Sequence, residues 1–416
     1  MAESLKPRQS AVRILGRVLE EGKTVTAAIL EEKDFWEYTD SDKNFIRLLI
    51  LMTLRRLGQI DGVLGKLLKR PMLKKQQTVR QILRLGIAQG LFLKTPAYAV
   101  VNTSVALAKK FHFDGLAGFV NAVMRGLFRM KNPLEGLENP AINLPDWICQ
   151  SWQKSYGKEM MQKMAEAVLN EPVLDISVPE NAEFWAKKWA GRVLMTGGVR
   201  VEVSSPEALA EFNQSGCWVQ NAAASIPAQL LSNIQGKCVA DLCAAPGGKT
   251  AQLANRGARV VAFDVSEKRA ERLKENMVRL GLNVDVRVAD ILDLTETEVF
   301  DAVLLDAPCS ATGTIARHPE IKYHRTAEDV KRLADLQKQL LMKAIQLVKK
   351  NGEIVFSTCS LEPQEGDEVI QSVEALVEVI KPADERWKGF LTPFGSLRIL
   401  PLDGFDGFYA CLMRKK

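Results

Sequence analysis

The chain has no Cys-x-x-Cys pair and only three histidines, His112, His318 and His324, so the common zinc-ligand spacings are missing. Its seven cysteines, at positions 149, 217, 238, 243, 309, 359 and 411, are odd in number and widely spread. A disulfide framework is not expected in a chain of this length, and packing or chemistry must account for the thiols. Long apolar runs are lacking too. The most apolar early stretch, 45–54, is broken by Arg47 and followed by Arg55 and Arg56, too short and too charged to cross a bilayer. Residues 1–10 are polar and lack the apolar core of a signal peptide. A cytoplasmic protein with no metal and no membrane partner is the expectation.

What is present is a long, ordinary globular composition. The 416 residues are 47% hydrophobic and 25% charged, which predicts two or three domains. The net charge of +6 conceals an asymmetry. Residues 1–131 hold 23 Lys and Arg against 11 Asp and Glu, a net of +12, so the remainder carries −6. A basic module joined to an acidic one points to polyanion binding in the first. That module reads as helix throughout. Ala11, Ile14, Leu15, Val18 and Leu19 keep the 3.6-residue period, as do Ile46, Leu49, Ile50 and Leu54. Asp40 or Ser41 is expected to cap the second helix, with Arg55 and Arg56 closing it near Gly58.

Pro133, Pro140 and Pro145 punctuate a linker. A mixed stretch to residue 215 contains Trp147, Trp152, Trp185 and Trp189, expected as core. From Val239 strands alternate with helices, which predicts a parallel sheet covered on both faces. Domains are therefore expected at 1–132 (all-α bundle), 133–215 (linker and small mixed α/β subdomain) and 216–416 (α/β, Rossmann-like). A long helix is expected to stop at Asn351-Gly352. The late runs 396–400 and 408–413 are expected to pair as an antiparallel edge.

The first strand of the last domain leads into Cys243-Ala244-Ala245-Pro246-Gly247-Gly248-Lys249-Thr250, a turn where such sheets bind ligands. A nucleoside-triphosphate cradle would need Gly where Cys243 stands, and Gly-x-Gly-x-x-Gly is absent. S-adenosylmethionine fits better, its amino acid part lying along the glycines. Asp264 is expected to take ribose hydroxyls, and Asp290 the adenine amino group. Asp306 continues this series of strand-end acids.

Two strand-like runs end in thiols, one in Asp306-Ala307-Pro308-Cys309-Ser310-Ala311-Thr312-Gly313 and the other in Ser357-Thr358-Cys359-Ser360. Placed at the ends of two strands of one sheet, they can face a single cleft. The residues themselves do not settle which thiol attacks.

Those two stretches and Asp241 to Thr250 resemble the three signatures of the RNA 5-methylcytosine methyltransferases of the Nop2/Sun group. In front, Val101-Asn102-Thr103-Ser104-Val105-Ala106-Leu107-Ala108-Lys109 and Gly118-Phe119-Val120-Asn121-Ala122-Val123 resemble the NusB-type RNA-binding bundle. His318-Pro319-Glu320-Ile321-Lys322 resembles the bacterial 16S rRNA cytosine-5 branch of that group. The resemblance implies an all-α NusB-like bundle followed by an S-adenosylmethionine-dependent methyltransferase domain. It implies methylation of carbon 5 of a cytosine in 16S rRNA, free or partly assembled, by a monomer. Cys359 would be the nucleophile, and Cys309 would assist product release. Asp306 would hold the base, and Lys249 would orient base or cofactor or lower a thiol pKa. Such chemistry needs a thiolate because its addition to carbon 6 makes carbon 5 nucleophilic.

Two departures stand out. Asn221 replaces an Asp in the Gln-Asp-x-x-Ser pattern before the catalytic domain, and Ser177-Val178-Pro179 lacks an Arg. A tRNA or 23S rRNA cytosine methyltransferase, a non-catalytic assembly factor and a P-loop ATPase are the alternatives.

Overall fold

The computed structural model describes residues 5–201 and 216–416. The chain divides into two compact units, Met1–Asn170 with Ile315–His324, and Glu171–Thr314 with Arg325–Lys416. The segment 133–215 is thus shared between them, residues 133–170 belonging to the first unit and 171–201 to the second.

The first unit is helical: α1 (Leu5–Glu20), α2 (Val25–Leu30), α3 (Asp40–Arg55), α4 (Leu57–Leu67), α5 (Gln77–Leu91), α6 (Ala97–Lys110), α7 (Ala117–Leu127), α8 (Asp146–Tyr156) and α9 (Lys158–Ala167). The periodic residues Ala11, Ile14, Leu15 and Val18 are buried, and so are Ile46, Leu49, Ile50 and Leu54. The cap of α3 is Thr39, whose hydroxyl accepts from Asp42 N–H at 3.2 Å, not Asp40 or Ser41. The helix ends at Arg55 with Arg56 as its cap, as expected, and α4 begins directly at Leu57, so Gly58 lies inside a helix. A Cβ on Gly58 would lie 1.9 Å from the Ile142 carbonyl oxygen, so close packing and not chain reversal requires glycine there.

The segment 315–324 complements the exposed ends of three helices. Lys322 Nζ donates to Arg55 O (2.9 Å) and Tyr323 OH to Leu54 O (2.8 Å), covering the last carbonyls of α3. His324 Nε2 lies 2.8 Å from Val18 O near the end of α1. Glu320 Oε1 accepts Val25 N–H (3.1 Å) at the start of α2. Polar side chains meet the carboxyl ends and a carboxylate meets an amino end, completing helix termini that lack intrahelical partners. In the motif that begins at His318, His318 itself is exposed, while Glu320 and Lys322 are buried.

The second unit opens with a small antiparallel sheet of β1 (Leu174–Ser177), β2 (Gly191–Val193), β3 (Val199–Val201) and β4 (Trp218–Val219), in the order β2-β3-β1-β4, with α10 (Ala182–Lys188) between β1 and β2. Trp147 and Trp152 belong to the helical unit, whereas Trp185 and Trp189 sit 4.7 Å apart, centroid to centroid, beside this sheet. Trp152 and Trp189 are buried, while Trp147 and Trp185 are half-buried. Asn221 shows why an amide suits its position. Its Oδ1 accepts Ala223 N–H (2.9 Å), while its Nδ2 faces Asp175 Oδ2 (3.4 Å), which a carboxylate would repel. Ser177, where the Arg is missing, donates to Gln220 Oε1 (2.7 Å).

The main sheet follows α11 (Ala222–Leu230). It contains β5 (Cys238–Leu242), α12 (Gly248–Asn255), β6 (Arg259–Asp264), α13 (Glu267–Leu280), β7 (Asp285–Val288), β8 (Phe300–Asp306), α14 (Ala327–Leu347), β9 (Val348–Thr358), β10 (Val377–Val379), β11 (Leu397–Ile399) and β12 (Phe408–Lys415). The order is β10-β12-β9-β8-β5-β6-β7, with β11 paired to β12. β5 to β9 pair in parallel, and Val239, Ala240, Leu242, Val303, Leu304 and Leu305 have no exposure, as a sheet covered on both faces requires. β12 is not an edge, since it lies between β9 and β10, antiparallel to both. Asn351-Gly352 does not end the helix either. α14 stops at Leu347, and Asn351 (φ 61°) and Gly352 lie inside β9 beside a register shift against β8. The chain runs outward through β6 and β7 before returning to β8, so the switch of direction falls between β5 and β8, where ligands bind in such sheets.

Candidate active site

At that switch point the carboxyl ends of β5, β6, β8 and β9 surround a cleft of about 320 Å³. Asp306 ends β8, and the sheet register aligns it with Ser357 of β9. Ser357 Oγ donates to Asp306 Oδ1 (2.8 Å), and Lys249 Nζ from α12 donates to Oδ2 (2.7 Å). The ammonium also stands 5.0 Å from the centre of the Phe408 ring. Both oxygens of Asp306 are therefore fixed in direction, while about a third of its side chain stays exposed.

Just beyond, Cys309 Sγ lies 3.4 Å from Cys359 Sγ, and both line the cleft. Burial and the neighbouring sulfur push the Cys309 thiol well above its ordinary pKa, with Glu365 contributing. The shift favours the protonated form of Cys309, and either sulfur can be the donor in their contact.

Glu365, with no exposure, holds the two thiol loops together. Its carboxylate accepts Ser310 N–H (2.8 Å), the Ser310 hydroxyl, and Gln337 Nε2 (3.0 Å); its backbone oxygen accepts the Thr358 hydroxyl (3.0 Å). Gln337 Nε2 also donates to Pro308 O (2.9 Å), and Gly313 N–H to Cys359 O (3.0 Å). A Cβ on Gly313 would sit 2.1 Å from Gly407 O, so the loop after Cys309 closes against the start of β12 only with glycine.

The other expected site residues divide into two groups. Cys243, Ala245, Asp264 and Asp290 line the same cleft. Cys243 has φ 62°, and burial with nearby Asp306, Asp264 and Asp241 pushes its thiol up to about 12, which favours the protonated form. Asp264 accepts Ala245 N–H (3.2 Å) and Ser266 N–H (3.0 Å), and meets Arg269 at 3.2 Å. Asp290 is exposed and spends one oxygen on Leu292 N–H (2.9 Å). Pro246, Gly247 and Gly248 border a separate hollow with Trp218 and Met277, while Ala244 and Lys249 line neither. A Cβ on Gly247 would be 2.4 Å from Leu273 Cδ1, so that glycine permits the loop to press on α13.

Beneath the loop, Asp241 is fully buried. Burial pushes it up to about 7, although Thr250 donates to it at 2.6 Å. Sequence reasoning missed Glu365, Gln337, Ser357 and Phe408. Only the Ser357-Thr358-Cys359-Ser360 signature hinted at one of them.

The cleft suits S-adenosylmethionine. Its volume lies in the range of small-molecule sites, with the carboxylates of Asp264 and Asp290 beside apolar Phe263, Ile291 and Leu340. Among the described residues no group of three or more His, Cys, Asp or Glu could hold a metal, and no helix is long and apolar enough to cross a membrane.

Strand order, switch-point cleft and strand-end acids together define an S-adenosylmethionine-dependent methyltransferase. Residues 228–414 match the model of the 16S rRNA methyltransferase RsmB/F family, and residues 5–129 that of the NusB family. The chain is 33% identical to ribosomal RNA small subunit methyltransferase B of Cronobacter sakazakii over 445 aligned residues, covering 100% of each chain. A methyltransferase homolog protein from Pyrococcus horikoshii aligns with 70% of this chain and 98% of its own at 28% identity, with a TM-score of 0.53. NSun6 from Pyrococcus horikoshii with SFG shares the fold over 65% of this chain and 98% of its own at 19% identity, with a TM-score of 0.57. This chain belongs to the RsmB/F family of rRNA methyltransferases and carries a NusB-family domain at residues 5–129.

Proposed function

We propose that the protein methylates carbon 5 of a cytosine in 16S rRNA through a covalent bond between Cys359 and carbon 6. The observation that carries this is the 3.4 Å approach of the two thiols beside an oriented carboxylate. A methyltransferase acting on an already nucleophilic nitrogen or oxygen needs no such pair, whereas cytosine carbon 5 must be activated by addition to the ring.

Bound S-adenosylmethionine would supply the electrophilic methyl group, held by Asp264, Asp290 and the stretch of the loop at Cys243 and Ala245 that lines the cleft. Asp306, steered by Lys249 and Ser357, meets the exocyclic amino group or ring nitrogen 3 of the base. Cys359 adds to carbon 6, and the electron pair displaced from the 5,6 double bond makes carbon 5 nucleophilic. After methylation a solvent water takes the carbon 5 proton, the electron pair of that C–H bond restores the 5,6 double bond, and Cys359 leaves carbon 6 as a thiolate with the pair of the S–C bond. Cys309, the ionisable group touching Cys359, assists that release. A base stacked in a helix cannot reach a thiol in a cleft, so the cytosine must be flipped or single-stranded.

The test is incubation with methyl-labelled S-adenosylmethionine and purified 16S rRNA, 23S rRNA and tRNA, followed by mapping of the labelled nucleotide. Label on 5-methylcytosine in 16S rRNA is expected. Label on adenine, or only on tRNA or 23S rRNA, overturns the assignment.

A further inference from the structure

Half of the charge excess of residues 1–131 falls within fifteen residues. Between Lys66 and Arg80 the chain carries Lys66, Lys69, Arg70, Lys74, Lys75 and Arg80 and no acidic residue. This stretch runs from the end of α4 through an irregular loop into the first turn of α5. Lys69, Arg70, Lys74 and Lys75 are exposed.

Several cations elsewhere in the helical unit are neutralised by acids. Arg13 and Arg17 both meet Glu32, and Arg84 meets Asp61. None of the six between positions 66 and 80 forms an ion pair among the described residues. Lys66 satisfies its ammonium on the carbonyl oxygens of Pro133 and Glu135, and Arg80 donates to Met72 O (3.3 Å). Those neutral acceptors leave the positive charge uncompensated.

The loop also has shape. Lys69, Arg70 and Arg80 rim a hollow of about 350 Å³ with Leu64 and Leu68 among its walls. Asp61 borders it as well, but the Arg84 guanidinium holds both its oxygens, Nε meeting Oδ1 at 2.7 Å. The hollow therefore presents cations, two of them guanidinium forks that match a phosphate group. Like charges crowded at this density repel one another, and a bound polyanion relieves that repulsion.

We infer that the 66–80 loop docks the phosphate backbone of the RNA substrate, a role that rests on RNA being what this enzyme methylates. The contact reads charge and spacing and not base identity, so it serves as an anchor while the cleft selects the nucleotide.

The experiment compares the full chain with a variant carrying Lys69→Gln, Arg70→Gln, Lys74→Gln and Lys75→Gln. All four side chains are exposed, and an unchanged helical circular-dichroism signal and melting temperature check the fold. Binding of 16S rRNA and of a scrambled RNA of equal length is measured between low and moderate salt. Each lost phosphate contact lowers the slope of log affinity against log salt by about 0.7–0.9, so a decrease of about 3 is expected. Both RNAs should lose affinity equally. An unchanged slope overturns the inference, as does a loss confined to one RNA sequence. So does unaltered RNA binding accompanied by lost binding to an acidic ribosomal protein. Methylation at a base other than cytosine would sink the cytosine-5 assignment and leave this result standing.

Discussion

Cys309 Sγ and Cys359 Sγ stand 3.4 Å apart at the ends of two strands that pair in parallel. Their separation is set by the sheet and by a buried carboxylate. Two sulfurs so placed can divide attack and release between them.

That division predicts opposite phenotypes. Cys309→Ala, with S-adenosylmethionine and 16S rRNA, should accumulate a covalent RNA complex that survives denaturing electrophoresis. Cys359→Ala should form none and show no turnover. Adduct with Cys359→Ala and none with Cys309→Ala would exchange the two assignments.

Glu365 is expected to control the gap between the thiols. Glu365→Ala leaves Ser310 N–H and Gln337 Nε2 without this acceptor, at about 1–3 kcal/mol for each buried group left unpaired. Turnover should fall on the order of 100-fold, because displacing reacting groups by an ångström costs that much. Glu365→Gln should recover part of it. S-adenosylmethionine affinity, measured by calorimetry, should stay unchanged; an equal loss there would make Glu365 a general fold residue.

Asp290 offers a cleaner test of the cofactor cleft, because it is exposed and one of its oxygens has no protein donor among the described residues. Asp290→Ala should weaken S-adenosylmethionine binding by roughly 5- to 10-fold, the worth of about 1–1.4 kcal/mol from one charge-assisted hydrogen bond. RNA affinity should not move. Unchanged cofactor affinity would remove Asp290 from the site.

Lys322 gives the helical unit a pH signature. Burial, with Arg55 and Arg56 nearby, pushes its ammonium down to about 7, against about 10.4 in an unfolded chain. Between those values the unfolded state holds a proton that the folded state lacks, so stability from this group rises with pH. It is lost as pH falls through 7. Urea unfolding of the protein and of Lys322→Met at pH 7 and pH 9 should show the unsubstituted chain gaining relative stability at the higher pH. The upper bound is about 1.4 kcal/mol per unit. Parallel profiles would refute it.

The parts of the molecule legible in sequence were those with a local signature. Abrupt strand ends at Asp264 and Asp306 mark the sheet, and matching thiols at Cys309 and Cys359 mark the cleft. Ser266 and Gly281 mark the ends of α13, as the structure bears out. What stayed hidden depended on distant partners. Glu365 lies among Glu362, Asp367 and Glu368, and nothing local distinguishes the acid that reaches Ser310, 55 positions away. Gly58 answers to Ile142 and Gly247 to Leu273, contacts that no turn rule contains. Asn351-Gly352 has the composition of a helix stop yet serves inside a strand, because the register shift against β8 needs a residue at positive φ there.

Residues 315–324 carry a consequence for any attempt to treat the protein as two modules. A fragment ending at Asn170 would expose the carbonyls of Leu54 and Arg55 that Tyr323 and Lys322 cover. A fragment beginning at Glu171 would carry Ala316, Glu320, Lys322, Tyr323 and His324 with their hydrogen-bonding partners cut away. The last of the helical unit is made only after the first thiol loop. Completion of the N-terminal fold during synthesis is therefore delayed until most of the catalytic unit exists.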